Sequence, residues 1–253
     1  MPKIRAAVCH EFGKPLVLEE VMLREPAAGE LEVTIRACAI CHSDISAMDG
    51  DWGGHLPAVY GHEAAGVITG IGADVSTYKI GDTVLVTLIR SCGHCVSCCS
   101  GKPTCCETRY DTVSGPLKTI DGKPMEQGLA TGAFAEKVVV DQSQIQHIPE
   151  NISMASASLL ACGVITGIGA VTNTAKVTVG STVAVIGAGG VGLNAIQGSV
   201  ISGASKIIAI DVTEEKLKVA KEFGATDVVL TSDDKPHRIV KKMTGGRGVD
   251  YVF

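Results

Sequence analysis

The chain has 253 residues, 45% of them hydrophobic and 19% charged, with a net charge of −5. That length suits one large domain or two ordinary ones, and that composition excludes an intrinsically disordered chain. No basic stripe marks a nucleic-acid surface, Met1–Ala6 lacks a signal-peptide apolar run, and Gly, Ser, Thr or charge interrupts each apolar stretch before the length of a bilayer span. These readings predict a cytoplasmic protein with neither nucleic acid nor membrane as partner. In a reducing compartment, ten cysteines point to metal or catalysis before disulfides.

In chain order, the first half is β-prone: Ile4–Val8, Glu32–Ala37, Gly66–Thr69, Thr83–Leu88 and Phe134–Val140 read as short strands separated by turns such as Ile80-Gly81-Asp82. They predict a barrel-like or sandwich-like β domain. Leu159–Val171 reads as a connecting helix, and the domain boundary falls between Ile148 and Thr178. The second half alternates strand and helix. Ser181–Ile186 is a near-continuous apolar strand, followed by a helix over Val191–Ser202, a strand over Lys206–Ile210 and an amphipathic helix over Glu214–Phe223. A strand over Asp227–Leu230, a helix over Pro236–Thr244 and a strand from Val249 complete the series, which predicts a doubly wound parallel sheet. The pattern stops at Phe253 within a strand, so the chain reads as a C-terminally truncated fragment.

Cys92, Cys95, Cys98 and Cys106 lie in a loop punctuated by Gly93, Ser97, Gly101 and Pro103. Four thiolates at this spacing suit a tetrahedral structural zinc, and a loop so polar needs a metal to order it. A disulfide cluster is the alternative, and Cys99 and Cys105 compete with Cys98 and Cys106 as ligands. His94 reads as a solvated spacer, and Cys9 and Cys38 as small buried apolar residues.

Gly187-Ala188-Gly189-Gly190-Val191-Gly192 fits G-x-G-x-x-G between a strand and a helix. Its first glycine allows the turn, the second admits a pyrophosphate, the third permits close packing, and the helix N-terminus offers N–H groups. Asp211 ends the next strand, about 20 residues on, with no arginine after it, which favours NAD over NADP. A nucleotide-free tight turn is the plainer alternative.

Cys41-His42-Ser43-Asp44 and Gly61-His62-Glu63 flank a loop containing Trp52. With Cys162 near the boundary, Cys41 and His62 make a Cys₂His set that leaves a fourth position open, as a catalytic zinc requires. Asp44 is placed to hold the second nitrogen of His62, and Glu63 to approach as an outer ligand. A lone His62 is otherwise a packed core histidine. Trp52 lines a substrate pocket or simply packs in its loop, while Asp233-Asp234 and Lys241-Lys242 read as surface pairs.

Together with Cys162-Gly163-Val164-Ile165-Thr166-Gly167, these motifs occur in an order that resembles the zinc-dependent medium-chain alcohol dehydrogenases over essentially the whole chain. The resemblance implies a GroES-like catalytic domain over residues 1–165 and a Rossmann domain over 166–253. It implies catalytic-zinc ligands at Cys41, His62 and Cys162, structural-zinc ligands at Cys92, Cys95, Cys98 and Cys106, and NAD as cofactor. It further implies Ser43 at the substrate oxygen, His42 at the pyrophosphate, Thr166 near the nicotinamide and Lys216 near the adenosine ribose. Ser46 stands where some relatives carry a proton-relay histidine. The implied activity is reversible oxidation of a small alcohol to an aldehyde or ketone, in a homodimer or homotetramer when full-length. A polyol, glutathione-dependent formaldehyde or aryl-alcohol dehydrogenase is the alternative among enzymes, and Asn173-Thr174-Ala175-Lys176 resembles the glutathione-dependent formaldehyde relatives, though not exclusively; a non-catalytic zinc- and nucleotide-binding scaffold and a zinc-free quinone reductase are further alternatives.

Overall fold

A computed structural model describes residues 1–149, 151–231 and 235–253. The Asp233-Asp234 pair lies outside the described residues. The chain divides into two units, Met1–Cys162 and Gly163–Phe253.

The first unit holds strands β1 (Lys3–Cys9), β2 (Val17–Leu23), β3 (Glu30–Ala39), β4 (Ala58–Val59), β5 (Glu63–Ile71), β6 (Thr83–Val86), β7 (Leu117–Lys118), β8 (Glu126–Gln127), β9 (Lys137–Asp141) and β10 (Ile145–His147). Its helices are α1 (His42–Asp49), α2 (Val96–Cys99) and α3 (Met154–Leu159). The strands form two five-stranded sheets, ordered β7-β2-β1-β4-β8 and β10-β6-β5-β3-β9. Alternation explains β1, where Ile4, Ala6 and Val8 point inward onto Val21, Leu23 and Met125. Leu31, Val33, Ile68, Val84 and Val138 build the second core, each such side chain adding roughly 1.5–3 kcal/mol when fully buried.

One register matters for function. In the antiparallel pair β3/β5, Ala39 stands opposite Glu63. Cys41, two residues beyond Ala39, and His62, one residue before Glu63, therefore lie at the same end of this strand pair.

The second unit contains α4 (Ile165–Gly169), β11 (Thr182–Ile186), α5 (Gly190–Ile201), β12 (Lys206–Asp211), α6 (Glu214–Glu222), β13 (Asp227–Leu230), α7 (Pro236–Met243) and β14 (Tyr251–Val252). Its four strands are parallel, ordered β13-β12-β11-β14, with Thr182 opposite Lys206. Val183, Val185, Ile196 and Leu217 pack in one cluster; Ala184, Ile208, Ile210, Val229 and Val240 pack in another. Strand order reverses beside β11, the place where open α/β sheets bind ligands at their carboxyl ends.

Three expectations need correction. Residues Met154–Thr174 form a 21-residue helical run of hydropathy 1.8, long and apolar enough by length and composition to cross a membrane. Its glycines and threonines dilute but do not break the apolar character; α3 packs on β3 and β5, and α4 on α5. The cysteine loop is not free of helix, because α2 makes one turn there and Pro103–Cys105 a 3₁₀ turn. Trp52 is 60% exposed, so it does not pack inside its loop.

Candidate functional site

The Sγ atoms of Cys41 and Cys162, a His62 ring nitrogen and a Glu63 carboxylate oxygen all lie within 4.8 Å of one another. Asp44 organises this cluster. Its buried carboxylate accepts from Cys41 N–H at 3.0 Å through Oδ2. Through Oδ1 it accepts from Gly61 N–H at 3.0 Å and meets His62 Nδ1 at 2.9 Å. The short spacing from Cys41 to Asp44 is that of a helix cap, so the same carboxylate that starts α1 also orients the imidazole. Gly61 permits the approach: its φ is +93°, and a Cβ there would sit 2.6 Å from the Phe134 ring and backbone.

With Nδ1 engaged, Nε2 of His62 faces the cluster. It is buried and makes no hydrogen bond of ordinary geometry to the described residues, and the Cys162 sulfur is its neighbour. Burial opposes a charge on the ring, yet the Asp44 bond and the Cys162 sulfur raise His62 to about 10. Two thiols, an oriented imidazole whose Nε2 faces the Cys162 sulfur, and a buried carboxylate are a donor set that fits a zinc ion. Cys162 sits in a wide helical turn, Leu160–Val164. Such i→i+5 turns recur at functional sites.

Cys92, Cys95, Cys98 and Cys106 likewise bring their sulfurs within 4.8 Å of one another. The backbone turns inward on them: Cys92 Sγ accepts from Cys95 N–H at 3.3 Å, Cys95 Sγ from Cys98 N–H at 3.4 Å, and Cys106 Sγ from Cys92 N–H at 3.3 Å. Hydrogen bonds from Thr108 and from the His94 and Cys95 amides lower Cys92 to about 5, whereas desolvation and the neighbouring sulfurs push Cys98 up to about 12. Four converging sulfurs suit a closed tetrahedral metal. Cys99 and Cys105 are exposed and outside the cluster, and none of the ten cysteines is in a disulfide, so neither the competing ligands nor the disulfide cluster is formed. His94 is exposed, with Nδ1 2.8 Å from the Cys92 carbonyl.

In the second unit a cleft of about 500 Å³ is lined by Thr166, Val185, the glycine turn and Phe253. Gly187 has φ +89°. A Cβ on Gly192 would lie 1.8 Å from the Gly187 carbonyl oxygen, so packing demands that glycine. A Cβ on Gly189 or Gly190 would meet nothing within 4 Å, which leaves the backbone at the start of α5 open to an approaching phosphate. Asp211 ends β12, buried, its Oδ2 accepting from Ala188 N–H at 2.7 Å and its Oδ1 from the Val212 and Thr213 amides and the Thr213 hydroxyl. Burial works against its charge, but these donors prevail and hold the carboxyl below its usual range. One further lone pair on Oδ2 remains for a hydroxyl donor.

Of the other expected site residues, Ser43 is half-buried and His42 exposed in the first turn of α1; Lys216 is exposed in α6. Ser46 is half-buried in α1, Trp52 is exposed, and Lys241 and Lys242 are exposed on α7. Sequence reasoning missed Phe253 in the cleft wall and the Thr87 hydroxyl, which donates to the Ala161 carbonyl beside Cys162. Neither carries a local motif.

Residues 27–150 match the alcohol dehydrogenase GroES-like domain and residues 190–253 the zinc-binding dehydrogenase domain. Among solved structures, an alcohol dehydrogenase zinc-binding domain protein from Burkholderia ambifaria is 33% identical with a TM-score of 0.93, over 99% of this chain and 70% of that one. Benzyl alcohol dehydrogenase from Acinetobacter calcoaceticus is 32% identical with a TM-score of 0.91, over 100% of this chain and 70% of that one. A protein described as a short chain alcohol dehydrogenase from E. coli, complexed with NADH, is 28% identical with a TM-score of 0.80, over 96% of this chain and 67% of that one.

Proposed function

This chain belongs to the zinc-dependent medium-chain alcohol dehydrogenases, and from that premise we propose that it catalyses reversible oxidation of an alcohol to an aldehyde or ketone with NAD as hydride acceptor. The carrying observation is the convergence of Cys41, His62, Glu63 and Cys162, with His62 and Glu63 buried and Cys41 and Cys162 half-buried.

In this reading Cys41, His62 and Cys162 hold a zinc ion, with Glu63 beside it. A divalent zinc bound there supplies a Lewis acid that lowers the pKa of an oxygen on it and is itself redox-inert. Asp44 fixes the ring so that Nδ1 carries the proton and Nε2 is the donor atom. Ser43 accepts the proton of the alcohol, and Ser46 with water carries it outward. The glycine turn with the α5 N-terminus binds the pyrophosphate, assisted by His42. Asp211 accepts from the ribose hydroxyls, Lys216 lies near the same ribose, and Thr166 contacts the nicotinamide. The balance is loss of one proton from the hydroxyl and one hydride from its carbon, with NAD⁺ reduced to NADH.

Aromatic alcohols are the first class to test, because the Acinetobacter enzyme at a TM-score of 0.91 is a benzyl alcohol dehydrogenase. The experiment is NADH formation by metal-loaded protein across benzyl, primary, secondary and polyol substrates, with formaldehyde plus glutathione as a separate arm. Turnover is expected, is lost in Cys41→Ser, and persists in Cys99→Ser. Protein that holds metal and binds NADH yet turns over nothing in the panel would favour a binding scaffold instead.

A further inference from the structure

Thr87 follows β6 directly, and its hydroxyl donates to the Ala161 carbonyl at 2.7 Å. Ala161 is buried and immediately precedes Cys162 in the wide turn Leu160–Val164. Thr87 is itself clamped from both sides of its peptide plane. Its N–H donates to the Gln144 carbonyl at 2.9 Å, and Gln144 Nε2 donates back to the Thr87 carbonyl at 3.0 Å. The same Nε2 donates to the Ala130 carbonyl at 3.0 Å. Gln144 is fully buried. Leu129 and Ala130 hold φ values of 52° and 55°, a left-handed conformation that non-glycine residues keep only where their surroundings over-determine it. One buried amide thus ties a strained turn to Thr87, and the Thr87 hydroxyl carries that placement to the peptide before Cys162.

The geometry points to Thr87 as a positioning residue that sets Cys162 for metal ligation, with Gln144 holding Thr87 in place. This rests on the metal-centre reading above. It concerns no atom that touches substrate.

The test uses the full chain loaded with cobalt(II), whose thiolate charge-transfer and ligand-field absorption report ligand set and geometry, followed by chelator titration. Thr87→Val keeps the shape and removes the donor. Its catalytic-site cobalt is expected to be held roughly ten-fold more weakly with an altered thiolate band, while the four-cysteine cobalt stays unchanged as internal reference. Thr87→Ser, which keeps the hydroxyl, restores both readouts. A Thr87→Val protein with the wild-type spectrum and affinity overturns the inference. So does equal weakening of both ions without rescue by Thr87→Ser, which would mark general loss of structure. If Thr87→Val is not recovered folded, Thr87→Ala is read in its place with the same outcomes. Cys162→Ser separates the premise: if it retains both ions and an unaltered spectrum, the metal-centre reading itself fails, whatever the Thr87 variants show.

Discussion

Asp44 serves three donors with one carboxylate, and an amide cannot replace it. Asparagine keeps one acceptor oxygen, so at least one of Cys41 N–H, Gly61 N–H and the His62 Nδ1 proton loses its partner. Leaving a buried donor unpaired costs about 2 kcal/mol. Asp44→Asn is therefore expected to lower stability by that order in urea unfolding, and to weaken catalytic zinc about 10–100-fold in chelator competition. The glycine turn separates packing from binding. Gly192→Ala drives a Cβ into the Gly187 carbonyl and should cost about 3 kcal/mol, whereas Gly189→Ala should change the unfolding midpoint little yet weaken NADH binding, read by fluorescence titration. Asp211 adds a pH dependence. Its folded pKa lies below the unfolded value of about 3.9, so it binds its proton more weakly in the native state. Its contribution is complete above pH of about 4 and is lost as pH falls through the folded pKa. Denaturation at pH 6 and pH 3.5 should show a larger acid loss for the wild type than for Asp211→Asn.

At the scale of elements, the four-cysteine loop is the least self-supporting part of the chain. None of the residues from Cys92 to Cys106 is buried, so sulfur–amide bonds stand there in place of a core. Cys98→Ser should cost one metal ion per chain and open the loop to protease, while Cys99→Ser and Cys105→Ser should leave both metal count and cleavage pattern unchanged. The spacing of cysteines made the cage legible, but choosing Cys98 over Cys99 needed the direction of α2, which spacing does not encode. Strands show the same divide. Apolar β11 and β12 were readable because most of their residues are buried, and β1 because its buried and exposed residues alternate over Lys3–Ala6. β2 was not, because Val17 and Leu18 are exposed while Val21 and Leu23 are buried. β4, β7 and β8 have two residues each, too few to carry a period, and only their partners make them strands. Asp44 beside His62 was legible through its motif, whereas the Gln144–Thr87–Ala161 connection joins residues far apart in sequence and leaves no local trace.

For the molecule as a whole, each candidate site is built within one unit. Both metal clusters use residues no later than Cys162, and the nucleotide cleft uses none earlier than Thr166. Metal and nucleotide binding should therefore be separable by single substitutions. Metal analysis is expected to find two zinc ions per wild-type chain, one in Cys41→Ser, and one, at the other site, in Cys95→Ser. NADH affinity should stay within about two-fold of wild type in Cys41→Ser, since the proposed phosphate and ribose contacts are on Gly187–Gly192 and Asp211. It should fall at least ten-fold in Asp211→Ala, with both zinc ions retained. A Cys41→Ser protein that loses NADH binding along with its zinc would show that the cleft depends on the metal centre for its shape, and the assignment of cofactor binding to the second unit alone would have to be abandoned.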